Sequence, residues 1–148
     1  VEDKNIVVIP SKTLPQGIAA MINFIHGSDI EENVERMTEE MNNIKSGQVT
    51  YAIRDTVVNG TKIKQGNIMG LNEKEILSVS ENVSEATSKL IDEMLDDDSD
   101  FVSLYYGDEV SEEEAEELLE QIEKEFPDIE FELNYGGQPI YYYYISIE

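Results

Sequence analysis

Residues 101–133 read FVSLYYGDEVSEEEAEELLEQIEKEFPDIEFEL, and they predict a strand, a helix and a second strand in succession. The apolar run Phe101–Tyr106 has the composition of a buried strand. Ser111, followed three residues later by Glu114, is the capping box that begins a helix, and Pro127 ends that helix. Two strands joined by a helix are typical of an α/β fold.

The start of the chain carries a similar order of patterns. The β-branched run Lys4–Ile9 predicts a buried strand. Apolar residues at helical spacing predict a helix over Leu14–Ile25 with Thr13 as its N-cap. A second helix is expected over Ile30–Ile44, with Gly47 as its stop. We therefore expect a strand–helix–strand unit at each end of the chain.

The middle of the chain has the pattern of short antiparallel strands. Val49–Val58 is expected to be one strand, and Asn59-Gly60 predicts a hairpin turn after it. Further strands are expected within 66–71, 75–80 and 140–147. A helix is expected to start at Asn82 or Ser84, with Val83 on its apolar face. The predicted fold class is α/β, with strand–helix–strand units at both ends and a central antiparallel β-meander. We expect residues 1–148 to form a single domain.

The net charge excludes several classes of partner. The chain has 10 Lys and Arg against 33 Asp and Glu, a net charge of −23, so it repels phosphate backbones and anionic lipid surfaces. No apolar run is long enough for membrane insertion. We therefore expect no nucleic-acid partner and no membrane insertion. The acidic side chains concentrate between Asp92 and Glu132, and this face would steer a partner that carries a basic surface.

The residues supply no visible catalytic set. The chain has no cysteine and one histidine, and no phosphate-binding glycine motif joins a strand to a helix. The run Asp96–Asp100 invites a calcium interpretation, but the EF-hand template fails because Phe101 replaces its glycine and Gly107 its glutamate. A solvated turn is the better interpretation. The absence of cysteine is consistent with a cytoplasmic protein.

Three features stand out as candidates for contact with a partner. Arg54, one of two arginines, follows a predicted strand and is suited to anchor an acidic group, although a local ion pair with Asp55 is the plainer interpretation. The other two features are a turn, Gly136–Pro139, and a run of four tyrosines. Alternation along a strand would expose half of those rings. The predicted partner-binding residues are Arg54, Gly136, Gly137, Gln138, Pro139, Tyr142 and Tyr144.

Several of these segments resemble one family in order along the chain. The stretches Lys4–Pro10, Pro15–Ala20, Gly47–Asp55, Gly66–Gly70 and Gly136–Pro139 are similar to the C-terminal region of the bacterial fatty acid kinase A subunit. This is the YloV-type family, with a dihydroxyacetone-kinase-like N-terminal domain. The resemblance also covers the Glu-rich helix and the tyrosine tail, so it extends over essentially the whole chain.

The resemblance implies a non-catalytic role for this chain. The family's N-terminal domain binds ATP and Mg²⁺ and phosphorylates the carboxylate of a fatty acid held by a separate DegV-like protein. The C-terminal region docks that carrier, and its fold is similar to part of the carrier's own. The chain is therefore expected to be a C-terminal fragment of a longer kinase protein, cytoplasmic, involved in lipid metabolism and without a cofactor of its own.

Two other interpretations remain open at this point. A degenerate DegV-like module would hold a lipid or another small molecule between its layers. An independent enzyme would use the acidic cluster to bind a divalent metal, as in a phosphatase or transferase. A homodimer is also compatible with the sequence.

Overall fold

The computed structural model describes residues 4–148 of the chain. Its elements are α1 (Leu14–Ile22), α2 (Ile30–Asn43), β1 (Lys45–Tyr51), β2 (Thr56–Val58), β3 (Thr61–Ile63), β4 (Ile68–Leu71), β5 (Ile76–Ser80), α3 (Val83–Met94), β6 (Phe101–Tyr106), α4 (Glu112–Glu125), β7 (Glu130–Tyr135) and β8 (Tyr143–Ile147). The packing separates an N-terminal unit, ending at Ile44, from a C-terminal unit, Lys45–Glu148. A single domain over residues 1–148 stays a prediction.

The N-terminal unit is a pair of packed helices. Thr13 is the N-cap of α1, where its hydroxyl oxygen accepts a hydrogen bond from the Gln16 amide at 3.3 Å. Asp29 begins α2 in the same way. The buried Asn33 ties the connection to α2, because its side chain both accepts from the Ile25 amide (2.8 Å) and donates to the Ile25 carbonyl (3.0 Å).

The predicted strand at Lys4–Ile9 is wrong, and so is the strand–helix–strand unit expected at this end of the chain. The segment belongs to no sheet, and the side chains of Ile6 and Val8 are 73% and 80% exposed. A strand needs the backbone groups of a neighbouring strand, and the described part of the N-terminal unit contains helices alone. Composition can favour an extended backbone, but it cannot supply a partner.

The C-terminal unit is built on a six-stranded sheet with the order β5-β4-β1-β8-β6-β7. The only parallel pair among these neighbours is β6 with β7, which α4 connects as predicted for residues 101–133. The last strand, β8, lies between β6 and β1 and is antiparallel to both. The expected meander is confirmed as antiparallel pairing of β1, β4 and β5. Strands β2 and β3 form a separate hairpin.

Helices α3 and α4 pack on the same face of this sheet. Their apolar residues share one buried cluster with the side chains that β1, β6 and β8 direct to that face. Asn82, one of the two expected starts, is the N-cap of α3, and Ser111 begins α4 in the predicted capping box with Glu114. The mixed α/β class is therefore confirmed.

The end of α2 and the end of β1 differ from the sequence prediction, and in both cases contacts with distant parts of the chain are the reason. Gly47 does not stop α2; it lies inside β1, where a Cβ atom would come within 2.9 Å of the Met94 sulfur and 3.2 Å of a Leu90 methyl carbon. The glycine thus lets α3 approach the sheet. The single strand expected over 49–58 is two strands, because Ala52 leaves the ladder and bonds to Gly66 and Asn67.

Candidate functional site

The turn between β7 and β8 (residues 136–142, the β7–β8 turn) is bound tightly to the end of β6. The amides of Gly136 and Gly137 both donate to the Tyr106 carbonyl, at 2.9 and 3.2 Å. In return, the Asp108 amide donates to the Gln138 carbonyl (3.1 Å). The turn therefore sits where the parallel strands β6 and β7 end, which is the usual position for ligand sites in α/β folds.

The glycines at this position allow a backbone approach that no other residue would permit. A Cβ atom on Gly107 would lie 2.3 Å from the Tyr141 carbonyl oxygen and 2.5 Å from that of Gln138. A Cβ atom on Gly136 would lie 2.0 Å from Gln138 Oε1. Because the two carbonyl oxygens beside Gly107 belong to the backbone and cannot move aside easily, the close packing of the turn on the end of β6 requires glycine at that position.

The exposed part of the turn includes a strained residue. Ile140 has φ of 74°, a left-handed conformation that is unfavourable for a β-branched side chain. Its carbonyl accepts a 3.0 Å hydrogen bond from the Thr50 hydroxyl, while its side chain is 53% exposed. Strain of this kind persists only where the surroundings impose it, and it concentrates at functional sites.

The four consecutive tyrosines do not alternate as two buried and two exposed rings. Tyr143 is 1% exposed in the core, whereas Tyr141, Tyr142 and Tyr144 are half-buried. Strand β8 begins only at Tyr143, so strand alternation does not apply to the two residues before it. The Tyr141 and Tyr144 rings lie 5.2 Å apart, a distance typical of aromatic pairs.

An additional tyrosine, absent from the predicted set of contact residues, extends the turn outwards. Tyr135 is 67% exposed, and its ring lies 5.2 Å from that of Tyr106 and against the backbone of Gly137. We call the exposed side chains of Tyr135, Pro139 and Ile140 the turn surface. The glycine pair directly after Tyr135 was the available signal, because glycine in or beside a strand often marks a place where another part of the backbone approaches closely.

The other predicted partner-binding residues occupy different positions around this turn. Gln138 is buried, and its Nε2 atom donates to the Tyr105 carbonyl at 2.8 Å, so it shapes the turn from inside. Arg54 is exposed beyond the end of β1, at the same end of the sheet as the start of β8. Within residues 4–148 it makes no ion pair, including with Asp55, whose carboxylate accepts from the Gln65 amide instead.

A cleft of about 270 Å³ lies between the start of α3 and α4, and we call it the acidic cleft. Three glutamates contribute to its lining: Glu109, Glu114 and Glu117. Its other walls include apolar side chains and two tyrosines: Val83, Val110, Leu118, Tyr142 and Tyr143. The sequence predicted the α4 glutamates only as one steering surface; the spacing of Glu114 and Glu117, one helical turn apart, was the available signal of a shared face.

The pKa values of the glutamate and tyrosine side chains that line the acidic cleft shift in opposite directions. Hydrogen bonds from the Ser111 hydroxyl and backbone lower the pKa of Glu114, so its carboxylate is charged at neutral pH. Burial raises the pKa of Tyr143, and the Glu114 carboxylate raises it further. Burial likewise raises the pKa of Tyr142, with a smaller contribution from Glu109. The cleft therefore presents carboxylates together with neutral phenols.

The aspartate run at 96–100 is organised as a turn. The Asp96 carboxylate pairs with Lys45, and it also accepts from the Ser99 hydroxyl (2.8 Å) and the Asp98 amide (3.2 Å). Across residues 4–148, no three His, Asp or Glu side chains are grouped so as to hold a metal ion. None of the helices in this range is both long enough and apolar enough to cross a membrane.

Comparison with known proteins gives a match along the whole chain. The FakA-like C-terminal family model, which describes the C-terminal region of fatty acid kinase proteins of this type, matches residues 1–148. The uncharacterized Staphylococcus aureus protein SAR1202 is 39% identical over 146 residues, which are 99% of this chain and 27% of that protein. Protein SAUSA300_1119 from another S. aureus strain is 38% identical over the same share. The chain thus spans about a quarter of the length of these relatives.

The fold also has a counterpart among solved structures. The crystal structure of the fatty acid binding DegV family protein SAG1342 from Streptococcus agalactiae superposes with a TM-score of 0.50. The match covers 89% of this chain and 54% of that protein, at 14% sequence identity. The likeness concerns the fold alone, and it confirms the predicted resemblance to part of a DegV-like fold.

Proposed function

The chain belongs to the FakA-like C-terminal family of fatty acid kinase proteins, and we propose that it serves there as a non-catalytic docking domain for a DegV-like fatty-acid-binding protein. Docking would present the fatty acid carboxylate of the carrier to the kinase domain of the whole protein. ATP and Mg²⁺ would bind in that domain, and this chain would hold no cofactor.

The observation that carries this proposal is the turn surface on its rigid base. Tyr135 and Ile140 are large, exposed apolar side chains, and the turn that presents them is fastened to β6 by hydrogen bonds and close glycine packing. A preorganised surface loses little conformational entropy when a partner binds. Exposed aromatic side chains are enriched at protein interfaces.

The charge of the chain supports the same role. A net charge of −23 attracts a partner with a basic face and raises the rate of encounter, an effect that weakens with salt. Arg54 lies at the same end of the sheet as the β7–β8 turn, where it is suited to pair with a carboxylate of the partner. The turn surface would then supply most of the binding energy, and the acidic side chains the steering.

The test is capture of the DegV-like proteins of the host by this chain and by the whole protein, at low and moderate salt. Folding of the chain is checked by circular dichroism, and affinity is measured by calorimetry. We expect capture that weakens with salt. The substitution Tyr135→Ala should reduce the affinity for the DegV-like protein about tenfold or more, as expected for a hot-spot residue. Val57→Ala removes an equally exposed apolar side chain from the β2–β3 hairpin, and it should leave affinity unchanged.

The opposite outcome is equally clear. If neither the folded chain nor the whole protein captures a DegV-like protein at either salt concentration, the docking role is wrong. The alternative of a degenerate lipid-binding module would then be favoured, and native mass spectrometry of the purified chain would show a bound lipid.

A further inference from the structure

The acidic cleft combines features that a solvated helix surface does not have. Its walls at Val83, Val110 and Leu118 are apolar, whereas Glu109 and Glu117 contribute carboxylates. Within residues 4–148, neither of these two carboxylates is in an ion pair. A long side chain with an apolar stem and a cationic head would satisfy both parts of the cleft at once.

The floor of the cleft contains a second, independent feature. Tyr143 lines the cleft and is 1% exposed, yet no group in the described part of the chain forms a hydrogen bond with its hydroxyl. The hydroxyl oxygen itself is not fully enclosed, so it opens onto the cleft, where a ligand can reach it. The phenol oxygen can accept a hydrogen bond from an N–H donor.

These features discriminate between classes of ligand. The carboxylates exclude anions such as phosphate, and they do not converge in the way a divalent metal site requires. A guanidinium group has five N–H donors in a planar arrangement, so it can bond to two carboxylates and a hydroxyl together. It can also stack on an aromatic ring, and Tyr142 supplies one beside the carboxylates. An ammonium group would use fewer of these contacts.

We propose that the acidic cleft between α3 and α4 binds an arginine side chain of the docked partner, with Glu109 and Glu117 pairing with the guanidinium and the Tyr143 hydroxyl accepting from it. The identity of the partner rests on the proposed docking function. Binding of a guanidinium group to the cleft does not depend on that function. The site would add a specific contact to the general steering by the acidic surface.

The first test uses a small probe on the chain itself. N-acetyl-arginine methylamide is titrated into ¹⁵N-labelled protein, with the neutral citrulline analogue as the matched probe. We expect saturable shift changes at the amides of Ser84, Val110 and Leu118 with the arginine probe alone. Equal responses to both probes would overturn the inference, because they would show that the guanidinium charge has no role.

Substitutions distinguish the contribution of the cleft to probe binding from that of the overall negative charge. Glu117→Gln should weaken binding of the arginine probe about tenfold, whereas Glu116→Gln, which removes the same charge from the adjacent position outside the cleft, should have little effect. Tyr143→Phe should weaken binding without lowering thermal stability, since the hydroxyl has no partner within the described residues. Equal losses for Glu116→Gln and Glu117→Gln would show bulk electrostatics and overturn the site.

Measurement with the DegV-like protein distinguishes the two proposals. The double variant carries both Glu109→Gln and Glu117→Gln. If the chain binds the DegV-like protein and the double variant binds it with the same affinity, the cleft inference is wrong and the docking proposal stands. If the arginine probe binds and no DegV-like protein is captured, the cleft binds guanidinium but its assignment to this partner fails. Loss of affinity for both the probe and the protein in the double variant supports the full proposal.

Discussion

The side-chain amide of Gln138 donates a 2.8 Å hydrogen bond to the backbone carbonyl of Tyr105, while its Oε1 atom is buried without a partner among residues 4–148. One half of this amide therefore stabilises the β7–β8 turn, and the other half costs free energy of desolvation. Gly136, whose missing Cβ leaves room for Oε1, makes the arrangement possible.

Substitution of Gln138 should separate these two contributions. Gln138→Leu removes both the bond and the unpaired oxygen, so we expect a loss of about 1 kcal/mol in the free energy of unfolding. Gln138→Glu retains the size but buries a carboxylate beside the Tyr105 carbonyl, so the loss should be larger, about 3 kcal/mol. Urea denaturation measures both. Equal losses would show that packing, and not the polar contact, holds the turn.

Gly107→Ala should be among the most damaging single substitutions at this end of the sheet. The new methyl group would meet two backbone carbonyl oxygens within 2.5 Å, so we expect a loss of at least about 2 kcal/mol. Gly17→Ala is the matched control within α1, where the nearest atom would be 3.6 Å away. That substitution should instead stabilise the helix by about 0.5–1 kcal/mol. Thermal unfolding checks the opposite signs.

Ile140→Asn should raise the stability of the chain and lower its affinity for the DegV-like partner. Asparagine accepts the left-handed backbone more readily than a β-branched residue, and the isoleucine side chain buries little area, so we expect a gain of about 1 kcal/mol in stability. The same change removes an apolar contact from the turn surface, and affinity for the DegV-like partner should fall. A more stable protein with undiminished affinity would show that the strain at Ile140 serves no contact with that partner.

The contact between Asp96 and Lys45 should depend on pH with a defined sign. The hydrogen bonds from Lys45 and Ser99 lower the pKa of Asp96 from its ordinary value of 3.8. A lowered folded-state pKa contributes stability that is fully present above that ordinary value and is lost as the pH falls through the lowered one. Wild-type protein should therefore be more stable than Asp96→Asn at neutral pH, and the difference should vanish in acid.

Comparing the two proteins removes the effect of the other carboxylates on acid stability. The asparagine oxygen can still accept from Ser99, so the difference reports the charge on Asp96. Urea denaturation at a series of pH values provides the measurement. A difference that is constant from neutral pH to about pH 2 would contradict the lowered pKa of Asp96 and point to a change in the turn itself.

Local sequence patterns were sufficient to predict the helix caps and the hairpin, which depend on residues close together in the sequence. The capping box of Ser111 and Glu114, the N-cap at Thr13 and the Asn59-Gly60 hairpin form as predicted, because their hydrogen bonds join residues a few positions apart. The α/β class followed from these elements. The family resemblance, carried by ordered motifs along the chain, is confirmed by the family match over residues 1–148.

The candidate site was only partly accessible to the same reasoning. The turn at Gly136–Pro139 was selected for its unusual composition, yet Tyr135 and the acidic cleft were missed. The cleft joins residues from α3, α4, the β7–β8 turn and the start of β8, which are up to 60 positions apart between Val83 and Tyr143. The binding roles of Arg54, Tyr142 and Tyr144 stay predictions.

The amino-acid sequence by itself determined the helices, the hairpin, the acidic surface and the family, because these depend on local periodicity, capping and composition. Only the tertiary structure decided that Lys4–Ile9 forms no strand, that Gly47 belongs to a strand beneath α3 and that Tyr143 alone of its run is in the core. Strand pairing and burial require a partner surface from elsewhere in the chain. That surface exists only once the sheet and helices have packed together.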